Sequence, residues 1–260
     1  MEAHSADRSI RGKLRRRLAR LQERRPARVA LERPMVSLSF DDAPQSAAYK
    51  GAAILQSRGL RGAYFISAGL AGEDGPMGRN ATVKDIAVLS AAGHEVACHT
   101  FSHLDCGQAD GARIAADVAR NTAALESLGL PEPVTFAYPY GDVSVAAKKA
   151  LGGRFALLRA LHHGLIEDGT DLNQAPAVGV EGPDGEAAAS AWLERAIERR
   201  GWLILYTHDV GHTPSPWGAE PGALERLLDR ALNAGADVVT VSEGCRRIGA
   251  MGGRGAGLSG

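Results

Sequence analysis

Only three cysteines occur among the 260 residues, Cys98, Cys106 and Cys245. An odd number precludes complete internal pairing, and the spacing makes neither a CxxC pair nor a zinc knuckle. A reducing compartment is the simplest setting for such a chain. Net charge is missing as well, with 30 basic residues against 30 acidic ones. No global field therefore selects a nucleic acid or an anionic polymer. The first residues run through Glu2 and Asp7 into a series of arginines without an apolar core, so no secretory signal is expected. No stretch of about 18 apolar residues exists, and no membrane span is expected. Internal repeats are absent too. Together these absences lead to the expectation of a cytoplasmic protein with no nucleic-acid partner.

What is present is an apolar fraction of 45%, enough for a sizeable core, in a length that suits one large α/β unit. Charge is balanced overall but not locally. Between Arg8 and Arg28 ten basic residues accumulate, and Leu14, Leu18 and Leu21 recur through them at helical spacing. Two readings stay open for residues 1–28: a solvated basic arm or helix, or a basic amphipathic segment that touches an anionic membrane surface or an acidic partner. Pro26 marks its end. Residues 29–250 are expected to form the catalytic domain, and the glycine-rich residues 251–260 a flexible tail.

After Pro34, short apolar runs alternate with helical stretches. The expected strands are Met35–Phe40, Gly62–Ala68, Glu95–Cys98, Val134–Ala137, Phe155–Arg159, Ala177–Val180, Trp202–Tyr206 and Asp237–Val241. Helices are expected over Ala47–Arg58, from Thr82 to Ala92, and over Asp110–Leu128, Glu186–Arg200 and Pro221–Asn233. Gly59, Gly93 and Gly129 stop three of them. Strand–helix alternation on this scale predicts an α/β fold with a parallel sheet, barrel or open, and helices outside it.

In such a fold, chemistry collects at the C-terminal ends of the strands. The first strand ends in Asp41-Asp42-Ala43-Pro44, the third in His99-Thr100-Phe101-Ser102-His103, the fourth in Tyr138-Pro139-Tyr140-Gly141 and the seventh in Thr207-His208-Asp209. Each group alone has an ordinary explanation: turn residues before a proline, a surface histidine pair, a core histidine. Their coincidence at one rim does not. Two imidazoles four residues apart face one ion if the segment turns helically, and a carboxylate from another strand completes a face with open positions. Adjacent strand-end carboxylates diverge, so one can bind metal while the other stays free as a base.

These residues resemble the polysaccharide deacetylase family, also called the NodB-homology or carbohydrate esterase 4 family, over roughly Pro34 to Ile248. Ser39-Phe40-Asp41-Asp42-Ala43-Pro44 is similar to its T-F-D-D-G-P run, and His99-Thr100-Phe101-Ser102-His103 to its H-[ST]-x-x-H motif. Pro139-Tyr140-Gly141 resembles its proline–aromatic–glycine loop, and Leu203 to His208 its last strand, which ends in histidine. The resemblance implies a distorted (β/α) barrel of seven to eight parallel strands. It implies Asp41 as general base, Asp42, His99 and His103 as metal ligands, the Tyr140 N–H as oxyanion donor and His208 as general acid. There are departures. Ala43 replaces a glycine, and Ala137 stands where the family has an arginine that contacts the base. Arg159 is the candidate to supply that charge. The family's Asp-Trp pair has no clear match, and Asp171 and Glu181 are the candidates for the carboxylate behind His208. Phe136–Gly141 and Trp202–Gly218 resemble bacterial members of the holdfast and capsule type, linked to exopolysaccharide modification.

The implied activity is metal-dependent removal of N-acetyl groups from N-acetylhexosamine units. The expected partners are an acetylated amino-sugar polymer or lipid-linked oligosaccharide, with peripheral contact to the inner face of an anionic membrane through residues 8–28. Nitrogen and oxygen ligands without thiolate make zinc the first choice, with cobalt, manganese or iron as alternatives. Tyr138, Trp217 and Arg159 are expected to bind substrate, Trp217 by stacking on a sugar ring. Competing functions are deacylation of a small amide or ring amide on the same site, and a non-catalytic carbohydrate-binding relative. A non-haem iron oxygenase fits less well, because strand–helix alternation does not suggest its sandwich fold.

Overall fold

The computed structural model describes residues 9–250. The expected flexible tail, residues 251–260, lies outside the described residues, as do the first eight. In chain order the elements are α1 (Ile10–Leu21), β1 (Met35–Asp41), α2 (Ala52–Gln56), β2 (Ala63–Ile66), a hairpin of β3 (Asp74–Gly75) and β4 (Gly78–Arg79), α3 (Val83–Ala91), β5 (Glu95–Cys98), α4 (Gly111–Ser127), β6 (Thr135–Ala137), α5 (Val145–Leu151), β7 (Leu157–Arg159), β8 (Val178–Gly179), α6 (Gly185–Arg199), β9 (Trp202–Thr207), α7 (Pro221–Asn233), β10 (Asp237–Val238) and α8 (Val241–Arg247).

Eight strands form one sheet in the order β7-β6-β5-β2-β1-β9-β8, with β10 also paired to β1. All of these pairings are parallel. The sheet curls because one segment serves both of its ends. Ala175 exchanges backbone hydrogen bonds with Leu158 and Ala160 beside β7, and three residues later the same segment becomes β8 and pairs with β9. The result is the expected distorted barrel.

Period-two alternation sorts the strand residues. On β1, Val36, Leu38 and Phe40 join the outer apolar layer under the helices. Met35 joins the inner layer with Phe65, Ala97, Ala137 and Ile204. Ser37 and Ser39 share Met35's parity and find buried partners there, accepting from Trp202 Nε1 (3.0 Å) and donating to the Leu205 carbonyl (2.9 Å). Asp41 continues this inner row and arrives at the top of the barrel interior.

Caps fix several helix starts. Thr82 and Asp85 form a reciprocal capping box on α3, and Asp110 caps α4. The last strand is shorter than the sequence predicts. It stops at Val238, because Thr240 caps α8, a helix the apolar run conceals. The predicted helix over Ala47–Arg58 opens with a wider π turn, Ala47–Gly51.

The basic N-terminal segment is no detached arm. Helix α1 packs beside α5, with Ala19 fully buried. Lys148 of α5, itself 1% exposed, donates to the carbonyls of Ala19 (2.5 Å) and Gln22 (2.6 Å) and to Asp171 Oδ2 (2.6 Å). Lys148 thereby stops the carbonyl end of α1 from remaining unpaired.

Candidate active site

Asp41 and Asp42 separate as strand-end neighbours must, but more sharply than alternation alone requires. Asp41 is the last residue of β1, whereas Asp42 and Ala43 both adopt left-handed backbone (φ 56° and 46°). Thr100, His103 and Tyr140 also have positive φ, so five of the seven such non-glycine residues among the described residues lie in these three rim segments. Strain of this kind persists only where surrounding contacts over-determine it.

The His99–His103 segment is a turn, not the helical stretch the spacing suggests. Asp117 of α4 holds it, with Oδ1 accepting from the N–H groups of Phe101 (2.7 Å) and Ser102 (3.0 Å), and Oδ2 from Ser102 Oγ (2.9 Å). The two imidazole centroids end 4.9 Å apart. His99 Nδ1 lies 2.8 Å from the Ala137 carbonyl. A carbonyl can only accept, so Nδ1 carries the proton and Nε2 presents a lone pair. His99 Nε2 and His103 Nε2 stand 3.8 and 3.4 Å from Asp42 Oδ1.

This triad suits a divalent ion. Its ligand atoms all lie within 4.8 Å of one another. Asp42 Oδ1 is buried without a hydrogen-bond partner, which is costly unless something positive fills the gap. Burial, then the neighbouring His103 charge, hold His99 at about 4. Burial likewise takes His103 to about 4. Both imidazoles are therefore neutral at pH 7, the form that ligates metal.

Asp41 has a different partner. Arg159 Nη2 donates to both of its oxygens at 2.5 Å. The guanidinium is fully buried, 4.9 Å from the Phe65 ring centre and 5.1 Å from that of Tyr206. Burial would raise the Asp41 carboxyl, but the Arg159 charge, helped by His99 and His208, holds it below its ordinary value. Arg159 thus supplies the charge that Ala137 cannot. Being 0% exposed, it cannot touch substrate, which corrects the expectation that it binds there.

His208 follows β9. Its Nδ1 lies 2.7 Å from Glu181 Oε1 and 3.2 Å from the Trp217 carbonyl. Both are acceptors, so Nδ1 bears the proton. Burial opposes a charge on this ring, yet the Glu181 hydrogen bond and the Asp41, Glu181 and Asp42 charges lift its pKa to about 9. Of the two candidate carboxylates, Glu181 is therefore the one behind His208. Asp171 is occupied with Lys148 and with the N–H groups of Arg25 and Asn173.

Tyr140 occupies the loop after β6, its ring centre 4.5 Å from that of His103. Tyr138 is a second correction. It is 1% exposed, packs on Phe136 and donates its hydroxyl to the Asn173 carbonyl at 3.0 Å, so it belongs to the core and not to a substrate surface. Trp217 is half-buried in a loop that Asp209 organises through Ser215 N (2.8 Å) and Oγ (2.5 Å). It meets the site through its backbone carbonyl, which accepts from His208 Nδ1. Asp117 escaped sequence reasoning, since a polar residue inside an amphipathic helix gives no sign of which distant loop it holds.

The polysaccharide deacetylase family model matches residues 28–153, which carry Asp41, Asp42, His99, His103 and Tyr140. A chitin deacetylase of Pestalotiopsis sp is 28% identical over 122 residues, 45% of this chain and 38% of its own length. The match thus spans well under half of that relative. Among solved structures, a family 4 acetyl xylan esterase of Clostridium thermocellum in complex with a cobalt ion superposes with a TM-score of 0.56 at 18% identity, covering 80% of this chain and 89% of that one. A mutant carbohydrate esterase 4 family pseudoenzyme with restored activity gives 0.56 at 15% identity, covering 82% and 68%. That a mutation restores activity to a pseudoenzyme of this fold shows that the fold alone does not decide activity. Motif match, barrel topology and rim residues converge: residues 28–153 match the polysaccharide deacetylase family, also known as the NodB-homology or carbohydrate esterase 4 family, and the fold is that of its solved members.

Proposed function

We propose that this protein is a metal-dependent N-deacetylase acting on N-acetylhexosamine units of a polysaccharide. The observation that carries the reading is the division between two adjacent carboxylates. Asp41 is ionised and pinned by Arg159, while Asp42 faces two neutral imidazoles with a buried, unpartnered oxygen. Asp42, His99 and His103 would hold the ion, and zinc suits their nitrogen and oxygen donors. When bound, such an ion supplies Lewis-acid polarisation of the acyl oxygen and lowers the pKa of a nearby water.

The chain's own groups account for the proton movements. Asp41 takes a proton from the attacking water as its oxygen bonds to the acetamide carbon. The Tyr140 N–H donates to the oxyanion. His208, protonated at neutral pH, gives its Nε2 proton to the nitrogen as the C–N bond breaks, while Glu181 retains the Nδ1 proton. Acetate and a free amine leave. The two titrating groups are displaced in opposite directions, Asp41 downward and His208 upward, which keeps base and acid in their working states together. A non-catalytic carbohydrate binder would need neither arrangement.

The substrate class we favour is an exopolysaccharide or its lipid-linked oligosaccharide precursor, handled in the cytoplasm. Acetate release from a panel of N-acetylated glycans, with and without a chelator, tests the reading, alongside Asp41→Asn. The expected result is chelator-sensitive release that Asp41→Asn lowers on the order of 10²–10⁴-fold while retaining metal. Release unaffected by both, or hydrolysis of small amides alone, overturns it.

A further inference from the structure

Helix α1 buries the side opposite to the one its sequence would suggest. A surface helix ordinarily turns its apolar stripe inward. Here the inward side is Gly12 and Ala19, both buried, with Arg15 reaching the fully buried Asp142 at 2.6 Å. The aliphatic residues face solvent: Ile10 is 84% exposed, Leu14 57%, Leu18 42% and Leu21 72%. At about 100° per residue these four fall within an arc of about 80°, a single stripe along the helix. Of the other exposed large hydrophobics among the described residues, Val83 and Val88 lie on α3 with Tyr49 bonded to its Asp85, and Val134 and Leu232 stand on separate segments. Arg17 and Arg20 are exposed on one flank of the stripe at helical spacing, and α1 contains no acidic residue.

We propose that α1 docks the protein onto an anionic lipid surface, with Ile10, Leu14, Leu18 and Leu21 entering the headgroup–acyl boundary and the flanking arginines meeting lipid phosphates. An aliphatic stripe edged by cations is the pattern of a helix lying in a membrane interface. Isolated aliphatic side chains on a surface need no partner, but a contiguous row marks a contact site. A second copy of the chain is a poorer occupant. Pairing two stripes about a twofold axis would bring like-charged helices together with no acid to offset them. The helix needs no refolding to dock, since Lys148 and Arg15 already hold it to the domain by its other side. It carries none of the catalytic candidates, so its docking and the deacetylase reading fail separately.

The test is co-sedimentation of the full chain with vesicles of phosphatidylglycerol and phosphatidylcholine, against vesicles of phosphatidylcholine alone. Binding is expected to the first and not the second, and to weaken as salt screens the arginines. The double substitution Leu14→Glu, Leu18→Glu should weaken it about tenfold or more, with the thermal midpoint unchanged because both positions face solvent. Arg17→Glu with Arg20→Glu should weaken it comparably and provides a second measurement should the leucine variant misfold. Binding by these variants equal to that of the unaltered chain overturns the proposal, as does no binding to anionic vesicles. A dimer in light scattering that the leucine variant disperses, without vesicle binding, also overturns it and gives the stripe to a second copy.

Discussion

Two buried polar networks lie on the same barrel, and they are built to opposite specifications. At the centre of the first, all three ammonium protons of Lys148 meet acceptors, although Arg25 Nε and Asn173 Oδ1 at its margin are buried without partners. The ammonium donates to Ala19 O, Gln22 O and Asp171 Oδ2, and Asp171 Oδ1 accepts from Arg25 and Asn173. At the rim, Asp42 Oδ1 and Arg159 Nε and Nη1 are buried without partners, and the backbone is repeatedly left-handed. Satisfied polar groups hold a fold together, whereas unsatisfied ones store free energy for something that is to arrive. The first network fastens α1 to the domain. The second, on the proposed function, is where an ion and a substrate would bind.

The largest expected effect tests the rim. His99→Ala and His103→Ala should each abolish metal retention and activity together, read by elemental analysis and acetate release. Asp42→Ala should do the same yet leave the metal-free protein at least as stable, since removing an unpartnered buried oxygen relieves on the order of 1 kcal/mol. Full metal occupancy in either histidine variant, or a strongly destabilised metal-free Asp42→Ala, would erase the contrast.

Next comes the satisfied network. Lys148→Met leaves Asp171 Oδ2 and two carbonyls of the α1 end without their donor. Breaking one side of a buried pair costs about 3–5 kcal/mol. Denaturant unfolding should show that loss and hydrogen exchange should show α1 amides opening, while the protein that remains folded binds metal as before. Lost metal affinity without lost stability would mean that the two networks are one.

A smaller effect separates acid from base. His208 has its pKa raised to about 9 from an ordinary 6.5. A general acid works below its pKa, so the alkaline limb of the kcat/KM profile should lie near that value. Glu181→Gln removes the partner of Nδ1 and should move the limb downward, leaving the acidic limb in place. The stability sign follows from the same shift. A raised folded pKa stabilises fully below 6.5 and the contribution disappears as pH rises through about 9. An alkaline limb unmoved in Glu181→Gln would assign the acid role elsewhere.

Most of the barrel was legible because its signals are local. Strand β5 and helix α7 begin and end where apolar periodicity, caps and glycines place them, and the divergence of Asp41 from Asp42 follows from period two. What required the structure was pairing across distance. Arg159 is 118 positions from Asp41 in sequence, and it reaches that carboxylate only because the sheet curls. Tyr138, at the end of the fourth expected strand, is expected from the sequence to bind substrate, but it shares the parity of Phe136 and so points outward into the α4–α5 layer. The leucine spacing of α1 showed a stripe, but spacing cannot say which side of a helix the domain will take.

The smallest expected effect concerns Ala43, where the chain departs from the family's glycine. Its φ of 46° is left-handed, its side chain is fully buried and its carbonyl accepts from Ala81 at 2.9 Å. An L-residue there costs about 1–2 kcal/mol. Ala43→Gly removes that strain but also removes a buried methyl, worth about 0.8 kcal/mol, and loosens the unfolded chain by about 0.4–1 kcal/mol. The contributions nearly cancel, so Ala43→Gly should leave the unfolding free energy within about 1 kcal/mol of the starting protein, with metal retention unchanged. Ala43→Val meets no such cancellation. A β-branched residue is a poor occupant of left-handed backbone, and the extra methyls must enter a packed site. It should cost about 1–3 kcal/mol and weaken metal retention, because Asp42 takes its direction from the same turn. If Ala43→Val instead kept both stability and metal, the left-handed pair at Asp42 and Ala43 would not be what aims the ligand. The orientation of Asp42 would then rest on its histidine neighbours alone.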